Sequence, residues 1–167
     1  SGTGTGAIIV ALLHRFERMH GVGVDIAQDA LDTARSNAAL NGVGRRFAAL
    51  KSDWFDNVSG RFHMIVSNPP YIPHGEIAEL AREVREHDPL AALDGGADGL
   101  DFYRALAMGA AAYLHDDGMV AVEIGAGQFD DVATLFAENG FALGGHACDL
   151  AGHRRAMLFK QHDHTQF

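Results

Sequence analysis

Apolar positions along this chain alternate between two rhythms. Over residues 7–20, Ile8, Leu12, Leu13 and Phe16 recur at helical spacing. Residues 21–25, Gly-Val-Gly-Val-Asp, form a short apolar run closed by an acid, which reads as a buried strand. Residues 27–40 predict a second helix, with Asp29 near its N-terminus and Asn41-Gly42 stopping it. Residues 46–53 and 62–68 read as strands, 99–114 as a helix, 118–125 as a strand, and 127–138 as a helix stopped by Asn139-Gly140. Residues 141–149 and 156–160 read as a closing pair of strands in a hairpin. The stretch 72–98 is long and charged, with a candidate helix at 76–86. A loop of that length inside a compact domain is usually functional or mobile.

Strands alternating with helices imply an α/β fold built on a mostly parallel sheet covered on both faces. Ligands of such sheets bind beyond the carboxyl ends of the strands. The expected organisation is one domain over residues 1–161, followed by a frayed polar tail at 162–167. No apolar run approaches the roughly 20 residues that span a bilayer, and nothing resembles a signal peptide. This excludes a membrane partner. The lone cysteine, Cys148, rules out an internal disulfide and fits a reducing, cytoplasmic setting. It reads as a small core residue, as do Met108, Met119 and Met157.

Charge narrows the partners further. The chain carries 13 Lys+Arg against 22 Asp+Glu, a net charge of −9. Proteins that hold nucleic acid through its phosphates usually show a basic face, so this balance weighs against nucleic acid. The ten histidines include no H-x-x-x-H pair, and no metal site is expected. His14 and His20 are read as helix-surface residues.

Four predicted strand ends carry candidate chemistry. Gly2-Thr3-Gly4-Thr5-Gly6 precedes the first helix. Glycines permit close backbone approach, and the helix N-terminus then offers free N–H groups to a ligand. The bland alternative is a plain glycine turn. Gly2, Gly4 and Ala7 also satisfy G-x-G-x-x-A, so the motif alone does not choose a cofactor. Asp25 lies where an acid accepts hydrogen bonds from both ribose hydroxyls, or caps the following helix. Asp53 at the next strand end suits an adenine amino group, with Trp54 covering the ring; the alternative is a turn Asp beside a half-buried Trp.

Asn68-Pro69-Pro70-Tyr71 is the most informative run. Two prolines stiffen the chain and leave carbonyls free to accept hydrogen bonds. The Asn68 side-chain oxygen and the Pro69 carbonyl can accept both N–H bonds of a substrate NH₂, with Tyr71 beside it. That holds a nitrogen in line with a methyl donor, and positioning is a large catalytic term. The alternative is a proline-rich exit loop. A nicotinamide-dependent oxidoreductase has no particular use for such a rim.

These residues carry a resemblance. The chain resembles the protein-(glutamine-N5) methyltransferases that act on peptide-chain release factors. The matching positions are 2–8, Val24-Asp25, Asp53-Trp54-Phe55, 67–72, Glu83-Val84, 88–93, Gly95-Gly96, 98–103, Glu123-Ile124-Gly125 with Gln128, and 149–152. The tetrapeptide at 68–71 is shared with amino-methylating DNA and RNA enzymes, and the segment 83–103 is what is specific to the release-factor group. The resemblance implies a three-layer, Rossmann-like class I S-adenosylmethionine-dependent methyltransferase with a seven-stranded sheet whose last strand is antiparallel. It implies S-adenosylmethionine at Gly2, Thr3, Gly4, Thr5, Gly6, Asp25, Asp53, Trp54 and Asn68, with S-adenosylhomocysteine as product. It implies a substrate glutamine, from the Gly-Gly-Gln motif of a release factor, held by Asn68, Pro69, Pro70 and Tyr71, with Asn68, Pro69 and Tyr71 taking the catalytic roles. Members of the group carry an N-terminal helical docking domain and a first strand ahead of the glycine loop. Neither is in this sequence, and the expectation is a piece of a longer protein.

Overall fold

The computed structural model describes residues 2–79 and 93–162. The chain packs as two compact units, Ser1–Ser59 and Gly60–Phe167.

In the first unit, helix α1 (Ala7–Arg15) leads into strand β1 (Gly21–Asp25), helix α2 (Gln28–Leu40) and strand β2 (Phe47–Lys51). The two strands pair in parallel, Val22 opposite Ala48 and Asp25 opposite Lys51. A parallel pair needs a crossover, and α2 supplies it, packing on both strands while α1 packs on β1 and α2. Leu13, Leu31, Ala34 and Ala38 are wholly buried. Small residues on α2 let α1 come close: a Cβ added to Gly6 would stand 2.9 Å from that of Ala34.

Helix α1 is shorter than its periodicity suggests. Phe16 turns extended (φ −118°, ψ 96°). Arg46, thirty residues on, donates from Nη1 to the carbonyls of Phe16 at 2.9 Å and Met19 at 3.1 Å. These bonds satisfy carbonyls that a continuing helix would have used. His20 therefore lies beyond the helix, exposed.

The second unit holds strand β3 (Phe62–Ser67), helix α3 (Asp101–Ala110), strand β4 (Leu114–Glu123), helix α4 (Phe129–Glu138) and strands β5 (Phe141–Cys148) and β6 (Arg154–Gln161). The sheet order is β3-β4-β6-β5. β3 and β4 are parallel, and β6 runs antiparallel to both β4 and β5. The expected antiparallel last strand is thus present. The described residues carry six strands in a two-stranded and a four-stranded sheet, where the resemblance implied seven in one; the strand it places ahead of the glycine loop is not among them.

Helix α4 packs on β5 and β6 and against α3. Its Phe136, wholly buried, stacks on Phe159 with ring centroids 4.0 Å apart and meets Phe141 edge-on at 5.6 Å. The hairpin between β5 and β6 is organised by Asp149. Its Oδ1 accepts the N–H groups of Ala151 and His153, both at 2.9 Å, and its Oδ2 accepts Arg155 Nε at 3.1 Å.

Two core expectations fail. Cys148 is exposed, at the end of the edge strand β5. Met108 is 74 % exposed, because α3 turns Tyr103, Leu106, Ala107 and Ala110 inward and leaves position 108 on the opposite face. The candidate helix at 76–86 is a 3₁₀ segment, His74–Glu79, as far as the described residues reach. Among them, no helix is long and apolar enough to cross a membrane.

Candidate functional site

In the first unit the glycine loop and Asp25 come together. Thr3 N–H donates to the Val24 carbonyl at 2.6 Å, laying the loop along the end of β1. The Asp25 carboxylate, 8 % exposed, accepts Gly4 N–H on Oδ2 at 3.0 Å and Ala27 N–H on Oδ1 at 2.9 Å. Asp25 is therefore both an anchor for the loop and a cap for the entry to α2, which has no side-chain cap at Ala27 itself. A Cβ on Gly2 would collide with the Asp25 carboxylate, so only glycine permits this approach. Gly4 (φ +53°) and Gly6 (φ +75°) take left-handed conformations at the mouth of α1. A carboxylate has about four lone-pair positions; two are used here.

Asp53 and Trp54 follow β2 rather than ending it. Ser52, buried, ties the two strand ends: its N–H donates to the Asp25 carbonyl at 3.1 Å, and its Oγ accepts Asn57 N–H at 2.9 Å. The turn closes with Asp56 N–H on the Asp53 carbonyl at 3.0 Å. Asp53 is exposed and Trp54 half-buried. Trp54 is the only non-glycine with positive φ (47°) among the described residues. A left-handed backbone costs a bulky residue about 1–2 kcal/mol, and such strain clusters at functional sites. In the sequence Trp54 stands out for its ring alone; neither its left-handed backbone nor the tie made by Ser52 has a local signal.

In the second unit, residues 68–71 follow the carboxyl end of β3, beside the end of β4, where Ser67 pairs with Val122. Asn68 is exposed, while Pro69 and Pro70 are buried. The rim is thus a pair of embedded proline rings that carries the Asn68 side chain outward. Tyr71 is half-buried against Gly125, where an added Cβ would stand 2.9 Å from its ring.

The chain beyond the rim is fastened. Ile72 N–H donates to the Leu93 carbonyl at 3.2 Å, Gly95 N–H to the Ile72 carbonyl at 2.8 Å, and His74 N–H to the Gly96 carbonyl at 2.8 Å. The His74 Nδ1 stands 2.7 Å from Asp94 Oδ2 and, with the Gly96 N–H, holds the Asp94 carboxyl below its usual range. Downstream, Arg104 forks onto Asp98 and holds its carboxyl down to about 2. Tyr103, wholly buried, donates its hydroxyl to the Glu123 carbonyl at 2.9 Å, and burial pushes that phenol up. Tyr103 and Gln128 were visible in the sequence only as matching positions; their packing role was not. Among the described residues, no group of three His, Cys, Asp or Glu side chains could hold a metal ion.

Known proteins resemble this chain. The chain is 51 % identical over 160 residues to the release factor glutamine methyltransferase of Agrobacterium fabrum, covering 96 % of this chain and 55 % of that protein. It is 46 % identical to the release factor glutamine methyltransferase of Rhodospirillum rubrum, over 96 % of this chain and 49 % of that one. The chain thus spans about half the length of the curated relatives it matches. Among solved structures, a methyltransferase from Pyrococcus furiosus aligns with a TM-score of 0.71 at 18 % identity, covering 96 % of this chain and 72 % of that one; that likeness shows a shared fold. The family model of the methyltransferase small domain matches residues 1–87. Its match runs from the glycine loop through the rim at 68–71 and takes in more than half of the 167 residues, and on that ground this chain belongs to the methyltransferase small domain family.

Proposed function

We propose that this chain is the methyl-transferring part of a release factor glutamine methyltransferase. It would move a methyl group from S-adenosylmethionine to the side-chain amide nitrogen of the glutamine in a Gly-Gly-Gln motif. The observation that carries the reading is the rim itself: an exposed Asn68 on buried Pro69 and Pro70 at the end of β3, in a chain 51 % identical to an enzyme of that name.

The first unit fits the cofactor. Asp25 keeps acceptor positions for two ribose hydroxyls, since each carboxylate oxygen takes one N–H. The missing Cβ at Gly2 leaves the carboxylate approachable by the loop, and residues 2–6 present backbone at the start of α1. Asp53 would take the adenine amino group and Trp54 would cover the ring. Bound S-adenosylmethionine supplies an electrophilic methyl carbon on a sulfonium and is left as S-adenosylhomocysteine.

An amide nitrogen is a poor nucleophile because its lone pair is delocalised. Asn68, through its side-chain oxygen, and Pro69, through its carbonyl, accept the two N–H groups. This fixes the orientation of the amide and favours the pyramidal geometry the nitrogen adopts as the new N–C bond forms. Such acceptors accelerate transfer only if they act more strongly in the transition state. Tyr71 walls the substrate amide beside them. The nitrogen sheds one proton to solvent after transfer, so no dedicated base is required.

Asn68→Ala tests this assignment. The expected result is a loss of about 10²-fold in kcat, the usual size for one preorganised polar group. S-adenosylmethionine affinity, by calorimetry, should change far less. Near-normal turnover in that variant would refute the role given to Asn68.

A further inference from the structure

We propose that Gln128 is a positioning residue that fixes the rim at 68–71 from behind; the proposal rests on reading that rim as the grip for the substrate amide. Gln128 lies at the turn between β4 and α4, where its own N–H donates to the Gly125 carbonyl at 3.3 Å. Gly127, at φ +83°, lets the chain double back there. The side chain folds over this turn. Oε1 accepts the Gly125 N–H at 3.0 Å. Nε2 donates one proton to the Tyr71 carbonyl at 3.0 Å and the other to the Gly99 carbonyl at 3.2 Å. The Tyr103 hydroxyl stands 3.4 Å from the same Oε1.

The partners dictate the amide's orientation. Gly125 offers an N–H and needs an acceptor; Tyr71 and Gly99 offer carbonyls and need donors. One planar group with two donors at one end and an acceptor at the other meets all three demands. Neither Glu nor Met does. Space around the amide is closed as well. A Cβ on Gly125 would stand 2.8 Å from Oε1, and one on Gly99 (φ +78°) would stand 2.7 Å from Nε2 and collide with the Tyr71 carbonyl.

This matters for the rim because prolines transmit position. Pro69 and Pro70 fix their own φ, and both are buried. The run is tied at one end by the β3 ladder at Ser67 and at the other by the Tyr71 carbonyl. Gln128 holds that second end. Release it, and the Pro69 carbonyl loses its fixed aim. A misplacement of about 1 Å can cost about 10²-fold in rate.

Gln128→Glu is the test, in the full-length protein with a release factor as substrate. It keeps the shape, keeps the acceptor for Gly125, and turns a second oxygen toward two carbonyls. At neutral pH we expect kcat to fall about 10- to 100-fold, with the S-adenosylhomocysteine dissociation constant within about twofold of wild type. Among the described residues, the titratable and charged groups on the elements around the amide are the phenols of Tyr71 and Tyr103, Glu123 at the end of β4, Asp98 beside Gly99 with its partner Arg104, and Asp130 and Asp131 in the first turn of α4. In that setting the new carboxyl is raised by burial and by carbonyl dipoles. When protonated it regains one donor. The ratio of variant to wild-type kcat should therefore climb as pH is lowered from about 8 to about 5.5. Active sites counted at each pH by S-adenosylhomocysteine titration correct for any pH-dependent loss of folded protein, so a climb that survives this correction is one that damage to folding alone would not give. A variant kcat within twofold of wild type, or a depressed ratio that stays flat with pH, would overturn the proposal. Should the variant fail to fold, exchange of the wild-type Gln128 Nε2 protons, followed by NMR, decides the matter: slow exchange supports the anchor, and exchange at the rate of an exposed amide overturns it. Absence of any transfer by the wild-type protein would instead overturn the reading of the rim, while the exchange measurement would still report on the anchor.

Discussion

Replacing Asp25 by Ala separates two jobs that one carboxylate performs. Without ligand, Asp25 accepts Gly4 N–H at 3.0 Å and Ala27 N–H at 2.9 Å, and is itself buried. Hydrogen bonds to a charged acceptor contribute about 1.5–3 kcal/mol each. Both donors are partly buried, and water entering the vacated volume recovers part of the loss. The net cost of Asp25→Ala is then about 2 kcal/mol, which in a chain of this size lowers Tm by about 4–8 °C. Asp25→Asn is no rescue: its amide keeps one acceptor but turns an NH₂ toward the other N–H, for a loss of about 1–2 kcal/mol. The second job shows on adding S-adenosylhomocysteine. The acceptor positions Asp25 keeps are those assigned to the ribose, so ligand should raise the wild-type Tm more than that of either variant. Differential scanning fluorimetry with and without ligand reads both effects. An Asp25→Ala Tm within about 1 °C of wild type in the absence of ligand would refute the loop-anchor role. Equal ligand-induced shifts in variant and wild type would refute the ribose role.

Two further outcomes test the second unit. Phe136→Ala removes a wholly buried ring from between Phe159 and Phe141 and should cost about 3–5 kcal/mol in urea unfolding, with an unchanged m-value. Acid should weaken the fold through Asp98, whose carboxyl Arg104 holds at about 2 against about 3.9 when unfolded. A depressed carboxyl contributes stability above its unfolded value and loses it as pH falls through the folded one, so the loss runs from about pH 4 down to about pH 2. Asp98→Asn should flatten that part of the stability curve, and an unchanged slope would show that the ion pair contributes nothing.

Much of this was legible because local signals and tertiary needs agree. Residues 21–25 form the strand their pattern predicts, since an apolar run closed by an acid has few other uses in an α/β chain. The antiparallel last strand followed from the resemblance, whereas Asn41-Gly42 and Asn139-Gly140 stopped their helices by local chemistry. What stayed hidden depends on contacts distant in sequence. Helix α1 ends early because Arg46 takes the carbonyls of Phe16 and Met19, and no local pattern announces that. Strand β4 begins at Leu114 rather than 118 because Leu114 pairs with Phe62, with an irregularity before Met64. Cys148 reads as core by type, yet sits at the end of an edge strand. At the site, the glycine loop, the acids and the rim stood out by residue type. Ser52 and Gln128 did not, since an isolated Ser or Gln takes its meaning from the backbone groups it meets.

The central claim is methyl transfer to a protein glutamine. The most direct measurement supplies the full-length protein with labelled S-adenosylmethionine and an intact release factor. A release factor with its Gly-Gly-Gln glutamine replaced by Ala, duplex DNA and ribosomal RNA serve as competing acceptors. The account predicts one methyl on the side chain of that glutamine, located by peptide mass spectrometry, and none on the other three. Label on DNA or ribosomal RNA with an unmodified release factor would contradict it.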